Sequence, residues 1–575
     1  MRIFIREHLK KIFKLYFCYY SILISISFFI INHNAFAESS FNKNSKFISL
    51  NKYGDYLAGS YASQIGDAVY AAKYYKNVLE VHPKNYELKI KTIKLLLIAG
   101  KVEGAKDLYN SLKDIDRTEE IIKIFGLTID LKNNNYSSAK KKIDLVSNEG
   151  LGRFLKPILK LWIYAGLGDE KQINKLINEI NVNSKFTSFN NYHKALVYDL
   201  INHPDTENVY ETLIESPETR SIRAIQSYAL YLKRVGKKDK SLSIVNSYLK
   251  QNSDNPIIEH ARYNYFNNNT QRNIISINYG FAEVFYATAK ALSEAEDFAL
   301  SSIFIRLSII LRPESSVSYV LLNEILEQRG KWDLAIEPLK KIKPNTPLGE
   351  YSKIKIARNL NRLSREKDAL KVLNDYLEIN PESAKVYEAL GDLFRSQKMW
   401  NKAVDNYNKA INKKRLINQK DWRIFYSLGI SYERAKKWQE AEPNFKKALE
   451  LNPDQPLVMN YLGYSWVEQG KNLNEALKMI QKAVMLRPRD GYIVDSLGWA
   501  FFRLGEFDDA VKNLERAVTL EPEDSIINEH LGDAYWKVGR FREAIFQWRR
   551  ALEFGPEKAA IPKIKLRIEK GLTKI

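Results

Sequence analysis

A register of small, apolar and aromatic positions recurs five times between residues 384 and 558. Each unit opens on a Leu-Gly pair: Leu390-Gly391, Leu428-Gly429, Leu462-Gly463, Leu497-Gly498 and Leu531-Gly532. An aromatic stands three positions after each glycine: Phe394, Tyr432, Trp466, Phe501 and Tyr535. Alanines follow in two columns, at 403, 441, 476, 510 and 544 and again at 410, 448, 483, 517 and 551. Successive Leu-Gly pairs are 38, 34, 35 and 34 residues apart, and Pro453, Pro488, Pro522 and Pro556 close four of the units. The spacing predicts two helices per unit. A mid-helix glycine costs about 1 kcal/mol relative to alanine, so five at one register need a packing reason, namely close approach of a second helix to the backbone. Proline then stops that second helix. A single hairpin of this kind cannot bury its own apolar face, whereas stacked hairpins can. The chain is therefore predicted to be all-α, an α-solenoid of helix–turn–helix units.

The same columns recur more faintly upstream. Gly59, Ala71, Tyr75, Val78 and Pro83 mark a first unit, and Gly100, Ala105 and Tyr109 a second. From about 117 to 265 the register decays while the helical period persists, with Gly126 and Ala139, Gly166-Leu167-Gly168, and Ala229 with Gly236 marking hairpins. Asn-rich stretches near Phe186–Tyr192 and at Asn267–Thr270 read as breaks, the second as the main domain boundary. Units resume at Phe281 and run through Pro344, and another holds Ala357, Ala369, Leu373 and Pro381. The organisation expected is degenerate repeats over 53–265, middle repeats over 281–383, a regular array over 384–556, and a capping helix over 557–575. In that last segment Ile561, Ile564, Ile568, Leu572 and Ile575 fall at helical spacing. Between Ala410 and Trp422 four extra residues predict an elongated loop or an extended second helix. Dividing the length beyond the first 37 residues by the period gives roughly fifteen hairpins.

The period, the Leu-Gly and alanine columns and the closing prolines resemble the tetratricopeptide repeat. The Tyr-Leu-Gly-Tyr-Ser-Trp, Asp-Ser-Leu-Gly-Trp-Ala and His-Leu-Gly-Asp-Ala-Tyr-Trp blocks of Asn460–Pro556, together with Gly280–Pro347, are similar to a large family of exported bacterial tetratricopeptide proteins. The resemblance implies a right-handed superhelix whose first helices line an inner groove. Carried onto this sequence, the groove positions include Tyr426, Arg434, Asn460, Tyr464, Tyr492, Asp495, Trp499, Arg503, Glu529 and Trp536. Aromatics with arginine are the usual material of binding hot spots. The lysine pattern with which some tetratricopeptide domains clamp a C-terminal carboxylate is missing, since the fifth positions are Tyr426, Asn460, Asp495 and Glu529. Some members of the family are outer-membrane lipoproteins that bind a C-terminal processing protease and bring it cell-wall hydrolases. The resemblance thus implies a non-enzymatic adaptor with such proteins as partners.

The amino terminus has a different character. Arg2, Arg6, Lys10, Lys11 and Lys14 precede a largely apolar run, Leu15 to Ile31, and Ala35-Phe36-Ala37 has the small-x-small form of a cleavage site. A cleaved signal peptide over 1–37 is expected, followed by a lead-in segment over 38–52. The apolar run is at the short end for a membrane span. Cys18, the only cysteine, sits inside that run rather than at its end. It is a poor lipid-attachment site, and a soluble periplasmic form is expected. The leader carries five basic residues and one acid, so the remainder keeps a formal +17 of the +21. Export argues against nucleic acid as the partner of that charge. A solvated surface explains it, and an alternative function is a cell-envelope structural protein binding anionic wall or membrane through a basic exterior.

No catalytic pattern stands out. The seven histidines, at 8, 33, 82, 193, 203, 260 and 530, form no H-E-x-x-H or other paired metal spacing. There is no Walker loop and no G-x-S-x-G elbow, and Gly150-Leu151-Gly152 and Gly166-Leu167-Gly168 read as turns. Asp495-Ser496 and Glu529-His530 lie on first helices, where packing accounts for them. No enzyme activity, cofactor or metal is expected.

Overall fold

In the computed structural model the described residues are 50–572, apart from 114–116, 118, 181–186, 216–219, 252–254 and 268–271. The leader, Cys18, most of the lead-in segment and Ile575 lie outside them. Every regular element among the described residues is a helix. Among the described residues the helices pair into fourteen hairpins, with Pro256–Asn267 and Ile561–Lys570 standing alone. The chain is an α-solenoid of helix–turn–helix units.

The described residues divide into two compact units, with the boundary between Lys123 and Ile124. The smaller holds the hairpins Leu50–Gln64/Ala68–Val81 and Tyr86–Ala99/Val102–Asn110, in which Asp67 caps Ala68–Val81 and Asn85 caps Tyr86–Ala99, their carboxyl and amide oxygens accepting from the backbone N–H three residues on. These side chains satisfy donors that the helix itself leaves open. Gly59 lies under the Tyr75 ring, where a Cβ would stand 2.8 Å from two ring carbons.

In the larger unit the five regular repeats form the hairpins Ala384–Ser396/Trp400–Lys413, Trp422–Arg434/Trp438–Leu451, Pro456–Glu468/Leu473–Leu486, Gly491–Leu504/Phe507–Leu520 and Ser525–Lys537/Phe541–Glu553. All ten column alanines are fully buried. Each column glycine faces a large residue of its own hairpin's second helix, sixteen positions on (Tyr407, Phe445, Leu514 and Trp548) or, after Gly463, seventeen positions on (Ile480). Those five side chains are also fully buried. The glycine column exists because a large side chain of the second helix lies directly on the backbone of the first.

The long spacing before Trp422 is a loop. The second helix ends at Lys413, and a short 3-10 turn, Gln419–Asp421, leads into the next unit. Asn418 and Asp421 cap each other's backbone there, and buried Asp421 accepts from Lys414 Nζ at 2.6 Å.

Of the stretch Phe186–Tyr192, Phe186 lies outside the described residues, and the remainder is the first part of the helix Thr187–Ile201, which buries Asn190 and Tyr192. Asn190 Nδ2 donates to the Ile180 carbonyl at 3.3 Å, so an asparagine that disfavours helix on propensity is kept there by a tertiary hydrogen bond. Residues 268–270 of the expected boundary lie outside the described residues, and the helices on its two sides pack together. Trp162 lies on the backbone of Gly280 and donates to His193 Nδ1 at 3.1 Å. Arg223 Nε and the Tyr192 hydroxyl both donate to buried Glu283, at 2.8 and 3.2 Å.

The terminal helix Ile561–Lys570 closes the array. Ile564 is fully buried, and Ile568 and Leu572 pack on the last hairpin's core.

Candidate functional site

The first helices of the regular repeats contact one another, while the second helices contact the first helix of the following unit. Pro456–Glu468 packs on Gly491–Leu504, which packs on Ser525–Lys537. The Trp422 unit joins the row through Tyr426 and Tyr461, whose rings meet edge to face at 6.0 Å, and through the Tyr461 hydroxyl, which donates to Glu433 at 3.0 Å. The first helices therefore share one face.

Part of the expected site residues converge on that face. Trp499 is half-buried, its ring stacked 4.7 Å from Phe502 and 4.0 Å from His530. Its indole N–H donates to Glu468, and Arg503 pairs with the same carboxylate at 3.6 Å. Tyr464 stands one repeat upstream of Trp499. Burial raises its phenol well above the ordinary tyrosine value; the Glu468 and Asp495 carboxylates add to this, and Arg434 and Arg503 oppose it. Tyr464 thus lies within the fields of three other expected groove residues, Arg434, Asp495 and Arg503, and of Glu468. Arg434 is exposed, with Glu433 at 3.4 Å. Tyr461, then Glu433 and Glu557, hold it above its usual value against burial. Tyr492 stands open to solvent at 56 % exposure. Asn460 is half-buried, its Oδ1 without a hydrogen-bond partner.

The others are engaged within the fold. Tyr426 packs between Trp422, Phe445 and Tyr461, and burial pushes its phenol up to about 12. Glu529 pairs with Arg567 of the terminal helix. Trp536 packs on Phe541 and Trp548, with Gly571 against its ring. The chain's own carboxy-terminal segment therefore covers the last unit's share of the row.

Asp495 is buried and its carboxylate meets His530 Nδ1 at 2.9 Å. The sequence places the two 35 residues apart, one repeat length, which is the signal that pairs them. Burial lowers the His530 value, but the Asp495 charge and hydrogen bond, with Asp533 and Glu529, outweigh it and the net shift is upward. Asp533 accepts from Trp548 Nε1 at 2.9 Å and faces Arg567 at 3.2 Å; burial still pushes it up to about 6. This histidine lies beneath the Trp499 ring, and Ser496 Oγ donates to the Tyr492 carbonyl at 3.0 Å rather than to His530. The Asp–His pair is a strut between two repeats that positions Trp499 from below.

What the face presents is an aromatic surface, Tyr464 and Trp499 with Phe502, edged by Arg434, Arg503, Glu468 and exposed Tyr492. Such a surface can take apolar and aromatic side chains on its rings and carboxylates or carbonyls on its guanidiniums. Among the described residues no group of three or more His, Cys, Asp or Glu could hold a metal ion, and no helix is long and apolar enough to cross a membrane.

Residues 422–455 and 496–559 each match a family model described as tetratricopeptide repeat. These stretches are tetratricopeptide repeats. Both models describe a repeat, and neither describes a catalytic domain. A TPR repeat-containing protein of Pseudomonas aeruginosa is 39% identical over 57 residues, 10% of this chain and 10% of the relative. The chain thus spans about a tenth of that relative's length. Among solved structures, a tetratricopeptide repeat protein from Parabacteroides merdae is similar at 19% identity, over 44% of this chain and 97% of that one, with a TM-score of 0.35. A chain of the APC/C hetero-tetramer Cut9–Hcn1 is similar at 14% identity, over 92% of this chain and 98% of that one, with a TM-score of 0.39.

Proposed function

We propose that this tetratricopeptide protein is a non-enzymatic scaffold that holds partner proteins on the face lined by its first helices. The observation that carries the reading is the Tyr464–Trp499 surface with Arg434 and Arg503 beside it. Large aromatics with arginine at one place, left partly open, are where binding energy concentrates. The leader-like segment and the resemblance to exported bacterial repeat proteins support a periplasmic location. They also support a C-terminal processing protease and cell-wall hydrolases as the class of partner.

The test is affinity capture from an envelope extract with the chain and its Arg434→Glu/Arg503→Glu variant. Both arginines are exposed, so the variant keeps the fold. The scaffold reading expects proteins, a protease or wall hydrolase among them, that the chain retains and the variant releases. Retention of the same proteins by both, or of wall material alone, would assign binding to the basic exterior instead.

A further inference from the structure

A second candidate site lies away from the regular repeats, within the larger unit. A cavity of about 610 Å³ opens between the helices Ile222–Arg234 and Pro256–Asn267, the start of Ser316–Gln328, and the segment 341–346. That volume is in the range of small-ligand sites. Its walls are rich in cations: Arg223, Arg312, Lys341 and Lys343 line it, against one carboxylate, Glu314.

The charges are unevenly satisfied. Arg223 is committed to Glu283 behind the wall, and Arg312 Nε reaches Glu314 at 3.3 Å. Lys341 and Lys343 are exposed at the rim and have no carboxylate partner among the described residues. Burial, and then the neighbouring Arg223 charge, lower the Arg312 value, as expected where guanidiniums crowd without enough counter-charge. His260 adds an independent sign. It lines the cavity, is buried at 9 % exposure, and its Nδ1 has no hydrogen-bond partner. Burial and the Arg223 charge bring it down to about 4, so it is neutral near pH 7 and adds polarity rather than charge. The helix Ser316–Gln328 begins at the cavity with Ser315 making no side-chain cap, which leaves the positive end of its dipole toward the space.

We infer that this cavity binds a ligand carrying two carboxylates. Two rim lysines without counter-ions set the charge, and the wall supplies guanidinium, hydroxyl and backbone donors. Carboxylate pairs come from two sources, a free dicarboxylate or the acidic side chains of a peptide, and the two are distinguishable.

Isothermal titration of the full chain with succinate, and separately with a blocked tetraglutamate peptide, tests the inference. At least one is expected to bind saturably, more weakly at higher salt. Lys341→Gln/Lys343→Gln should weaken binding at least about ten-fold, or about 1.4 kcal/mol, with an unchanged melting temperature because both lysines are exposed. Trp499→Ala, in the other site, should leave it unchanged, so the two proposals fail separately. Saturable succinate binding assigns a small ligand, and peptide binding alone assigns an acidic segment of a partner. Absence of saturable binding by either at millimolar concentration would overturn the inference, as would affinity within two-fold of the original in the lysine variant. Arg223→Gln is unsuitable, because it strands the buried Glu283 carboxylate.

Discussion

At the scale of single residues the account rests on backbones that touch side chains. Gly532 stands under Trp548, and a Cβ there would meet the indole Cδ1 and Nε1 at 2.5 Å. Gly532→Ala is expected to destabilise the chain by about 1–3 kcal/mol through overpacking, read from the denaturant midpoint. Gly54, also helical, has nothing within 4 Å of a built Cβ. Gly54→Ala should stabilise its helix by about 0.5–1 kcal/mol. Equal effects at the two sites would remove the packing explanation of the glycine column. The Leu-Gly and alanine columns were legible in the sequence because each small residue has one reason to be small. The large residues facing each glycine were not, since Tyr, Phe, Ile, Leu and Trp share no identity and Ile480 stands one position later in the register than the other four. The Asp495–His530 strut has a measurable signature. His530 is raised above 6.5 and Asp533 above 3.8, to about 6, so the folded state binds more protons than the unfolded one. Stability from these groups therefore falls as pH rises, from about 3.8 to 6 for Asp533 and from 6.5 through the raised value for His530. Asp495→Asn removes the largest force raising His530. The fall in melting temperature from pH 6.5 to 8.5 should be shallower in that variant than in the original chain, and identical slopes would refute the strut.

At the scale of elements, the carboxy-terminal helix does more than shield an apolar end. Its Ile564 fills the last core, and its Arg567 reaches Glu529 and Asp533 on the inner row. Its capping role was legible from isoleucines at helical spacing. Its ion pairs were not, because they join residues on two non-consecutive helices. Arg567→Gln leaves the Asp533 carboxylate, whose side chain is 2 % exposed, without its cation. Losing one partner of a buried pair costs about 3–5 kcal/mol, and the partial exposure of Arg567 places this case toward the lower end. Hydrogen exchange should quicken across Ser525–Glu553 and stay unchanged in Ala384–Lys413. Uniform change across both segments would mean that the helix acts on the array as a whole. Residues 187–192 show the converse limit of sequence reading, where composition predicts a break and the helix Thr187–Ile201 holds Asn190 by a tertiary hydrogen bond.

At the scale of the whole molecule, stacking leaves two kinds of surface on the regular repeats, a row of first helices and a row of second helices. The groove positions were legible as a register, but not which of them remain open. Trp499 and Tyr492 are accessible, while Glu529 and Trp536 are occupied by the chain's own terminus. The most direct test of the central claim places a photoreactive benzoylphenylalanine on each surface in cells. Tyr492 serves for the first-helix face and Phe546, equally exposed at 56 %, for the second-helix face. The scaffold account predicts discrete protein adducts at position 492 and none at position 546. Adducts confined to 546, or equal at both positions, would contradict it.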